Sequence, residues 1–229
     1  MRRPPYLLGL LLIAAVCGLV DAACFLALGG VFAEIMTGNI LLLAFRIGTG
    51  HQLGDATPMR YLAAIGAFAI GALLGGALMR GREKRVERRI GFGIELGLVV
   101  VATALAFGTD AGSTGEGRDL VVGLLACAMG LQNALIRKHG LADVATNVMT
   151  VTFTGLLADS RLVGGSDEHR GRRLASIGTF FVSAIVGAFL IRYGAGWPLA
   201  LASMALAAAV VILTTTDPLL RSRSPAPRT

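Results

Sequence analysis

Polar side chains occur at matching positions in two otherwise apolar stretches of the chain. Residues 18–22 read GLVDA and residues 130–134 read GLQNA, 112 positions apart (130 − 18 = 112). A carboxylate or carboxamide inside an apolar segment is costly in a membrane and is usually found facing a cavity or a partner. Asp21, Gln132 and Asn133 are therefore candidate substrate-binding residues. A helix end near the outer interface is the alternative position for Asp21.

A short polar stretch follows each of these positions. Residues 34–39 read EIMTGN and residues 147–152 read NVMTVT. Hydroxyl and amide groups supply hydrogen bonds, and a glycine permits an unwound turn whose backbone groups are free to coordinate a ligand. A threonine in an apolar helix can instead bond its own backbone four residues back. The further candidates are Glu34, Thr37, Gly38 and Asn39 in the first stretch, and Asn147, Thr150 and Thr152 in the second.

The sequence shows no pattern that is typical of an enzyme. No serine or cysteine has a base at a suitable spacing, and there is no metal-ligand cluster and no phosphate-binding glycine loop. We therefore expect no catalytic residue, no metal and no cofactor. Glu95 interrupts a further apolar segment. We expect it to lie near the cytoplasmic end of a span and to pair with Arg88 or Arg89.

The composition indicates a polytopic membrane protein. Hydrophobic residues make up 55% of the 229 residues and charged residues 15%, with a mean hydropathy of +0.72. Crossing a bilayer takes about 20 apolar residues, and six segments approach that length. They are 6–30, 60–80, 90–109, 118–137, 173–193 and 197–216. The net charge of +7 comes from Arg and Lys in short loops and at the two ends, which indicates orientation in the membrane rather than nucleic-acid binding.

Two stretches, 31–47 and 141–160, are long enough for a short helix but polar for a span. If both crossed, the Arg-rich segment 80–89 would lie outside the cell, against the positive-inside tendency. If each enters and leaves on the same side, the Arg-rich loops and both termini are cytoplasmic. Each half then has three spans, so the second half is inverted relative to the first. Eight spans with a weak charge asymmetry is the alternative.

The sequence therefore predicts an all-α membrane protein with six transmembrane helices in a 3+3 inverted repeat, each half carrying a re-entrant or broken polar helix. A single transmembrane domain comprises residues 1–229. The first repeat covers about 6–109, the second about 118–216, and a disordered cytoplasmic tail covers 217–229. The two polar stretches are expected to approach each other from opposite faces, near the membrane midplane.

Small residues recur at every fourth position in one span of each half. Such stripes let helix backbones approach closely where lipid supplies no hydrophobic drive. We expect these stripes to pack within the bundle, and a homodimer face is the alternative. The stripes are Ala63, Ala67, Gly71 and Gly75 in the first half, and Ala175, Thr179, Ser183 and Gly187 in the second.

The N-terminal segment has two arginines before an apolar run, as a cleaved signal peptide does. Its match to residues 118–137 favours a retained span instead. The three cysteines, Cys17, Cys24 and Cys127, all lie inside apolar segments. We expect them to be small core residues, with no disulfide and no redox role.

Several motifs resemble those of a known family. Residues 18–21 (GLVD), 25–29 (FLALG), 36–40 (MTGNI) and 129–134 (MGLQNA) are similar to signatures of the YoaK family of uncharacterised bacterial inner-membrane proteins. The resemblance extends over nearly the whole chain. Val151 departs from it, since such proteins tend to show a Thr-Gly pair there. The resemblance implies a six-span bacterial membrane protein and no particular substrate.

We expect a small secondary transporter or permease with a polar site at the repeat interface, where Asp21 or Glu34 binds a proton or a cation. The expected partners are the lipid bilayer and a small solute or ion, with no nucleic acid. The chain would lie in the bacterial inner membrane with both termini cytoplasmic. A channel-like or non-transporting scaffold is the alternative, and an integral membrane enzyme is a third hypothesis.

Overall fold

The computed structural model describes residues 4–50, 56–80, 84–108, 115–138, 149–165 and 169–215, and every regular element within these ranges is helical. Six of the helices are long and apolar enough to cross a membrane, which confirms the predicted number of spans. The predicted tail at 217–229 lies outside the described residues. The helices are α1 (Pro4–Leu26), α2 (Met36–Thr49), α3 (Pro58–Leu78), α4 (Lys84–Gly108), α5 (Gly115–Lys138), α6 (Met149–Ala158), α7 (Arg170–Leu190) and α8 (Gly196–Thr215).

Helices α2 and α6 correspond to the two polar stretches and are too short to span. Helix α2 has 14 residues. At 1.5 Å per residue that is about 21 Å, less than the roughly 30 Å of a bilayer's hydrocarbon core. Pro58 starts α3 where a proline costs no hydrogen bond, and Gly50 ends α2 in the left-handed conformation (φ 66°).

Two pairs of helices run parallel. Helices α3 and α5 are joined at one end by the Arg60–Asp119 ion pair (2.8 Å) and at the other by a hydrogen bond from Lys138 to the Met79 carbonyl. Helices α1 and α7 run parallel as well. Gly18 lies against the Phe180 carbonyl, and further along both helices Ala22 lies against Gly187.

The remaining close pairs run antiparallel. Helix α4 meets α5 through Glu87 and Lys138 (3.2 Å), and it meets α8 through Thr103 and Ser203 (3.0 Å). The first half of α1 meets the last turns of α8, where Gly9 lies against Leu213. Helices α1, α4 and α7 therefore point one way, and α3, α5 and α8 point the other way.

These directions determine the path of the polar stretches. Helix α1 ends on the side of the bundle where α3 begins, so the segment containing α2 enters and leaves on that side. Helix α5 ends on the opposite side, where α7 begins, so the segment containing α6 enters and leaves there. The same-side path predicted from the loop charges agrees with these directions, and the eight-span alternative does not.

The helices pack in two groups of three that do not follow the sequence halves. Helix α1 packs closely on α7 and α8, and we call these three helices the α1 group. Helix α5 packs closely on α3 and α4, and we call these the α5 group. Helix α6 lies on α7, and α2 lies on α3. The groups meet mainly through α4 and α8, with a smaller contact between α1 and α5.

One close contact occurs twice, once in each group. A Cβ on Gly18 would lie 2.7 Å from the Phe180 carbonyl oxygen, and a Cβ on Gly130 would fall on the Phe68 carbonyl oxygen. The two phenylalanines are separated by the same 112 positions (180 − 68 = 112) as the two glycines. The predicted packing within the bundle is confirmed for the second half of each stripe, because the following residues are buried: Gly71, Gly75, Ser183 and Gly187.

We predict that Gly130→Ala destabilises the protein by about 1–3 kcal/mol, because the added methyl group overlaps the α3 backbone. Gly123→Ala on the same helix is the matched control, since a Cβ there meets nothing within 4 Å. Thermal unfolding of the purified variants in detergent measures the difference. Equal melting temperatures for Gly130→Ala and Gly123→Ala would contradict the packing role of this contact.

Candidate functional site

Asp21 is buried inside α1 and holds the start of the polar stretch. It is 4% exposed, and its Oδ1 accepts hydrogen bonds from the backbone N–H groups of Ala33 (2.8 Å) and Glu34 (2.9 Å). Backbone N–H groups just before a helix have no helical partner, and an anionic acceptor satisfies them well. Among the described residues, no hydrogen-bond partner is found for Asp21 Oδ2. One oxygen of the carboxylate therefore holds the loop, and the other makes no hydrogen bond within the described part of the chain.

Asn39 fixes the same loop from the first turn of α2. Its Oδ1 accepts from the Phe32 N–H (2.9 Å), and its Nδ2 donates to the Phe32 carbonyl (2.8 Å). The side chain is fully buried. The Phe32 ring stacks on Phe25 of α1, with centroids 4.6 Å apart. The Asn39 amide thus replaces a missing backbone partner for Phe32, and both ends of it are used for structure.

Gly38 does not form the unwound turn that the sequence suggested. It lies in α2, and its N–H donates to the Ile35 carbonyl (3.0 Å). A Cβ at this position would lie 2.9 Å from the Phe32 ring. The glycine is therefore needed for space beside an aromatic ring. The left-handed turns lie earlier in the loop, at Gly29 (φ 107°) and Gly30 (φ 76°).

Glu34 brings a second carboxylate to this region. It is 5% exposed, and its backbone N–H is one of the two bound by Asp21. The two carboxylates are close enough to interact electrostatically. Asp21, Glu34 and Asn39 are thus the candidates that the structure brings together. Two acidic groups in a water-poor region are suited to binding a proton or a cation.

The candidates of the second half are arranged differently. Gln132 is fully buried and donates from Nε2 to Cys17 Sγ (3.1 Å), which links α5 to α1 one turn from Asp21. Asn133 donates to the Met129 carbonyl of its own helix (2.9 Å). Thr152 is buried in α6. Asn147 lies outside the described residues.

The two polar stretches are not brought together in the described part of the chain. Thr37 and Thr150 are both exposed on the bundle surface. One cavity lies between α3 and α5 near Arg60 and Asp119, and a second, of about 480 Å³, lies between α1, α7 and α8. No candidate from the polar stretches lines either of these two cavities. The expected meeting of Thr37 with Thr150 near the midplane is therefore absent from this arrangement.

Glu95 is a buried acid whose surroundings we predicted wrongly. It is fully buried, and among the described residues neither of its carboxylate oxygens has a hydrogen-bond partner. No ion pair joins it to Arg88 or Arg89 within that part of the chain, because Glu95 lies deeper in the span. Its place inside an apolar segment was the only sequence signal for this burial. Cys17 and Cys24 are buried as predicted, and Cys127 is half-buried.

The helix pattern and these intramembrane polar groups define a class, the small all-helical polytopic membrane proteins. The chain belongs to the DUF1275 family, which is described as a protein family of unknown function and whose model matches residues 9–213. The chain is also similar to the UPF0700 transmembrane protein YoaK of Bacillus subtilis (strain 168), with 31% identity over 159 residues. That match covers 67% of this chain and 65% of the relative.

The family resemblance predicted from the motifs is confirmed by these matches. No solved structure matches the chain. The geometry gives physical reasons for two of the motifs. The aspartate of GLVD binds the backbone at 33 and 34, and the glycine and asparagine of MTGNI pack on and hold Phe32. Both motifs therefore serve the same loop.

We predict that Asn39→Ala lowers stability by about 1–3 kcal/mol, since it leaves the buried Phe32 peptide without partners. Thr37→Ala, two residues away on the exposed face, should change stability by less than about 0.5 kcal/mol. Thermal unfolding in detergent measures both variants. An Asn39→Ala variant as stable as Thr37→Ala would show that the Asn39 amide does not hold the loop.

Proposed function

We propose that the protein is a small secondary transporter or permease that works by rotation of the α1 group against the α5 group. The observation that carries this proposal is the placement of polar contacts between the two groups. Asp21 of α1 binds a loop that leads to α2 on α3, and Cys17 of α1 meets Gln132 of α5. Thr103 of α4 meets Ser203 of α8.

The packing supports the inverted-repeat part of this proposal. Suppose that α1 to α4 correspond in order to α5 to α8. The α3–α5 contact then has its counterpart in the α7–α1 contact, and the α4–α5 contact has its counterpart in the α8–α1 contact, and all four contacts are present. The α4–α8 contact maps onto itself. Corresponding helices point in opposite directions. This is the pattern expected for two units related by an axis in the membrane plane.

The loop charges support an orientation for the bundle. Arg80 and Lys138 lie at one end, and the ends of α4 and the start of α5 lie at the other. The positive-inside tendency places the first end in the cytoplasm. In this orientation the α2 segment lies on the outer side, the α6 segment lies on the inner side, and both termini are cytoplasmic. We propose the bacterial inner membrane as the location.

We place the proton or cation site at Asp21 and Glu34. Asp21 Oδ1 accepts two backbone hydrogen bonds, while Oδ2 has no hydrogen-bond partner among the described residues and can accept one from a ligand. Rotation of the groups would move Asp21 relative to the loop that it holds. Binding of a cation would compete with those backbone contacts and could only favour one arrangement if its affinity differs between them. The solute itself is unidentified.

The test is uptake by proteoliposomes that contain the purified protein, using a panel of labelled polar solutes and an imposed proton gradient. Asp21→Asn should lose uptake while remaining folded, because the amide oxygen still accepts the two backbone hydrogen bonds. Asp21→Ala should lose uptake and also about 1–3 kcal/mol of stability, because it leaves buried donors unpaired.

The outcomes separate transport from a structural role. Normal uptake in Asp21→Asn would remove the Asp21 charge from the mechanism. The absence of flux for every solute in the unmodified protein would favour the scaffold alternative.

We further predict the sidedness of the loops. On a Cys127→Ser background, Gly108→Cys should react with an impermeant maleimide in intact spheroplasts, since it is exposed at the outer end of α4. Arg80→Cys, exposed at the other end, should react only after permeabilisation. Reaction of Arg80→Cys in intact spheroplasts would reverse the orientation.

A further inference from the structure

Glu95 and Gln132 are buried polar side chains with unused oxygen atoms. Both residues are fully buried. Among the described residues, no hydrogen-bond partner is found for either carboxylate oxygen of Glu95 or for Oε1 of Gln132. An unsatisfied buried amide or acid is expensive in a low-dielectric interior, so such groups are normally paired or bind something.

The helix contacts place these two side chains at the same height. Helices α4 and α5 run antiparallel, with Glu87 bound to Lys138 and Gly91 packed on Leu135. One further turn along each helix from that contact leads to Glu95 on α4 and to the neighbourhood of Gln132 on α5. Glu95 also shares a helix face with Glu87 and Gly91, since these residues are four apart.

The site lies between the two helix groups. Gln132 donates to Cys17 of α1. Further along α4, Thr103 and Phe107 contact α8. Glu95 lies on the same face of α4, between these residues and the part of the helix that contacts α5. Asp21 is one helical turn beyond Cys17, about 6 Å along α1. Glu95 is therefore positioned deeper in the bundle than the Asp21 site.

Among the described residues, no charged side chain forms a hydrogen bond or an ion pair with Glu95. On its own helix, Glu87 is two turns away, about 12 Å along the axis, and it is bound to Lys138. Helix α8 carries no ionisable side chain between residues 196 and 215. The other ionisable residues of the described neighbouring helices are Arg88 and Arg89 on α4, Arg118, Asp119, Cys127 and Arg137 on α5, Arg60 and Tyr61 on α3, and Tyr6, Cys17, Asp21 and Cys24 on α1.

We infer that Glu95 is a proton-binding site in the interior of the bundle, with the Gln132 carboxamide at a similar height on the facing helix α5. A carboxylic acid has one O–H donor, and Gln132 Oε1 is an acceptor of matching chemistry. The proton is the ligand that removes the charge without requiring further protein oxygens. The site is separate from the Asp21 site, and the inference does not depend on solute transport.

The test uses dicyclohexylcarbodiimide, an apolar reagent that reacts with a protonated carboxyl group. The acid adds across one C=N bond, its proton going to nitrogen and its oxygen to carbon, and acyl transfer to nitrogen gives a stable N-acylurea. The purified protein in detergent is treated over a range from mildly acidic to mildly alkaline pH. Peptide mass spectrometry then identifies the modified residues.

We expect an adduct on Glu95 that decreases as the pH rises. Gln132→Leu should shift the pH at which half of the adduct is lost, because it removes an amide oxygen that can accept the proton of the neutral acid. Glu87, bound to Lys138 in the same helix, is the internal control and should remain unmodified. Glu95→Gln should lose the adduct at this position. If that variant does not fold, the pH dependence of the Glu95 adduct in the protein without substitutions still tests the inference.

Absence of an adduct on Glu95 at every pH would overturn the inference, as would an adduct that does not change with pH. Labelling is independent of uptake. A protein that reacts at Glu95 and transports no solute would contradict the proposed function alone. A protein that takes up solute and never reacts at Glu95 would contradict this inference alone.

Discussion

The Asp21 carboxylate is the interaction on which the arrangement of the first polar stretch depends. A chain that enters a membrane bundle and leaves on the same side must turn at depth, where no water satisfies its amides. Asp21 supplies an acceptor for two of these amides, and Asn39 supplies both a donor and an acceptor for a third residue, Phe32. The polar side chains that first suggested a binding site therefore also make the turn physically acceptable.

The halves of the sequence and the packed units of the fold are different divisions of the chain. The α1 group contains one helix from the first half of the sequence and two from the second, α7 and α8. The α5 group contains one helix from the second half and two from the first, α3 and α4. In each group, a Gly–Phe contact joins helices from different halves of the sequence. Gly18 meets Phe180 in the α1 group, and Gly130 meets Phe68 in the α5 group. Motion of one group against the other would consequently move parts of both sequence halves.

The six spans could be predicted from the sequence because hydropathy reports directly on membrane crossing. The roles of individual polar side chains could not be predicted in the same way. Asn39 and Gly38 looked like ligand-binding residues, yet their partner is Phe32, seven or fewer positions away, and only the loop geometry reveals this. Glu95 was expected near a charged loop, but it lies one or two helical turns deeper, in the buried core. The sequence does not fix the depth of a side chain to within one or two turns.

Asp21, Glu34 and Glu95 are buried acids in the first half of the sequence. The residues 112 positions after Asp21 and Glu95 are Asn133 and Ala207. A carboxylate at position 133 or 207 would add another negative charge to the interior, where Asp21 is already repelled by Glu34. The two helix groups are packed alike, and each contains one of these buried acids, Asp21 on α1 and Glu95 on α4. The two halves of the sequence thus differ in their buried polar residues, while the Gly–Phe contacts within the two helix groups are alike.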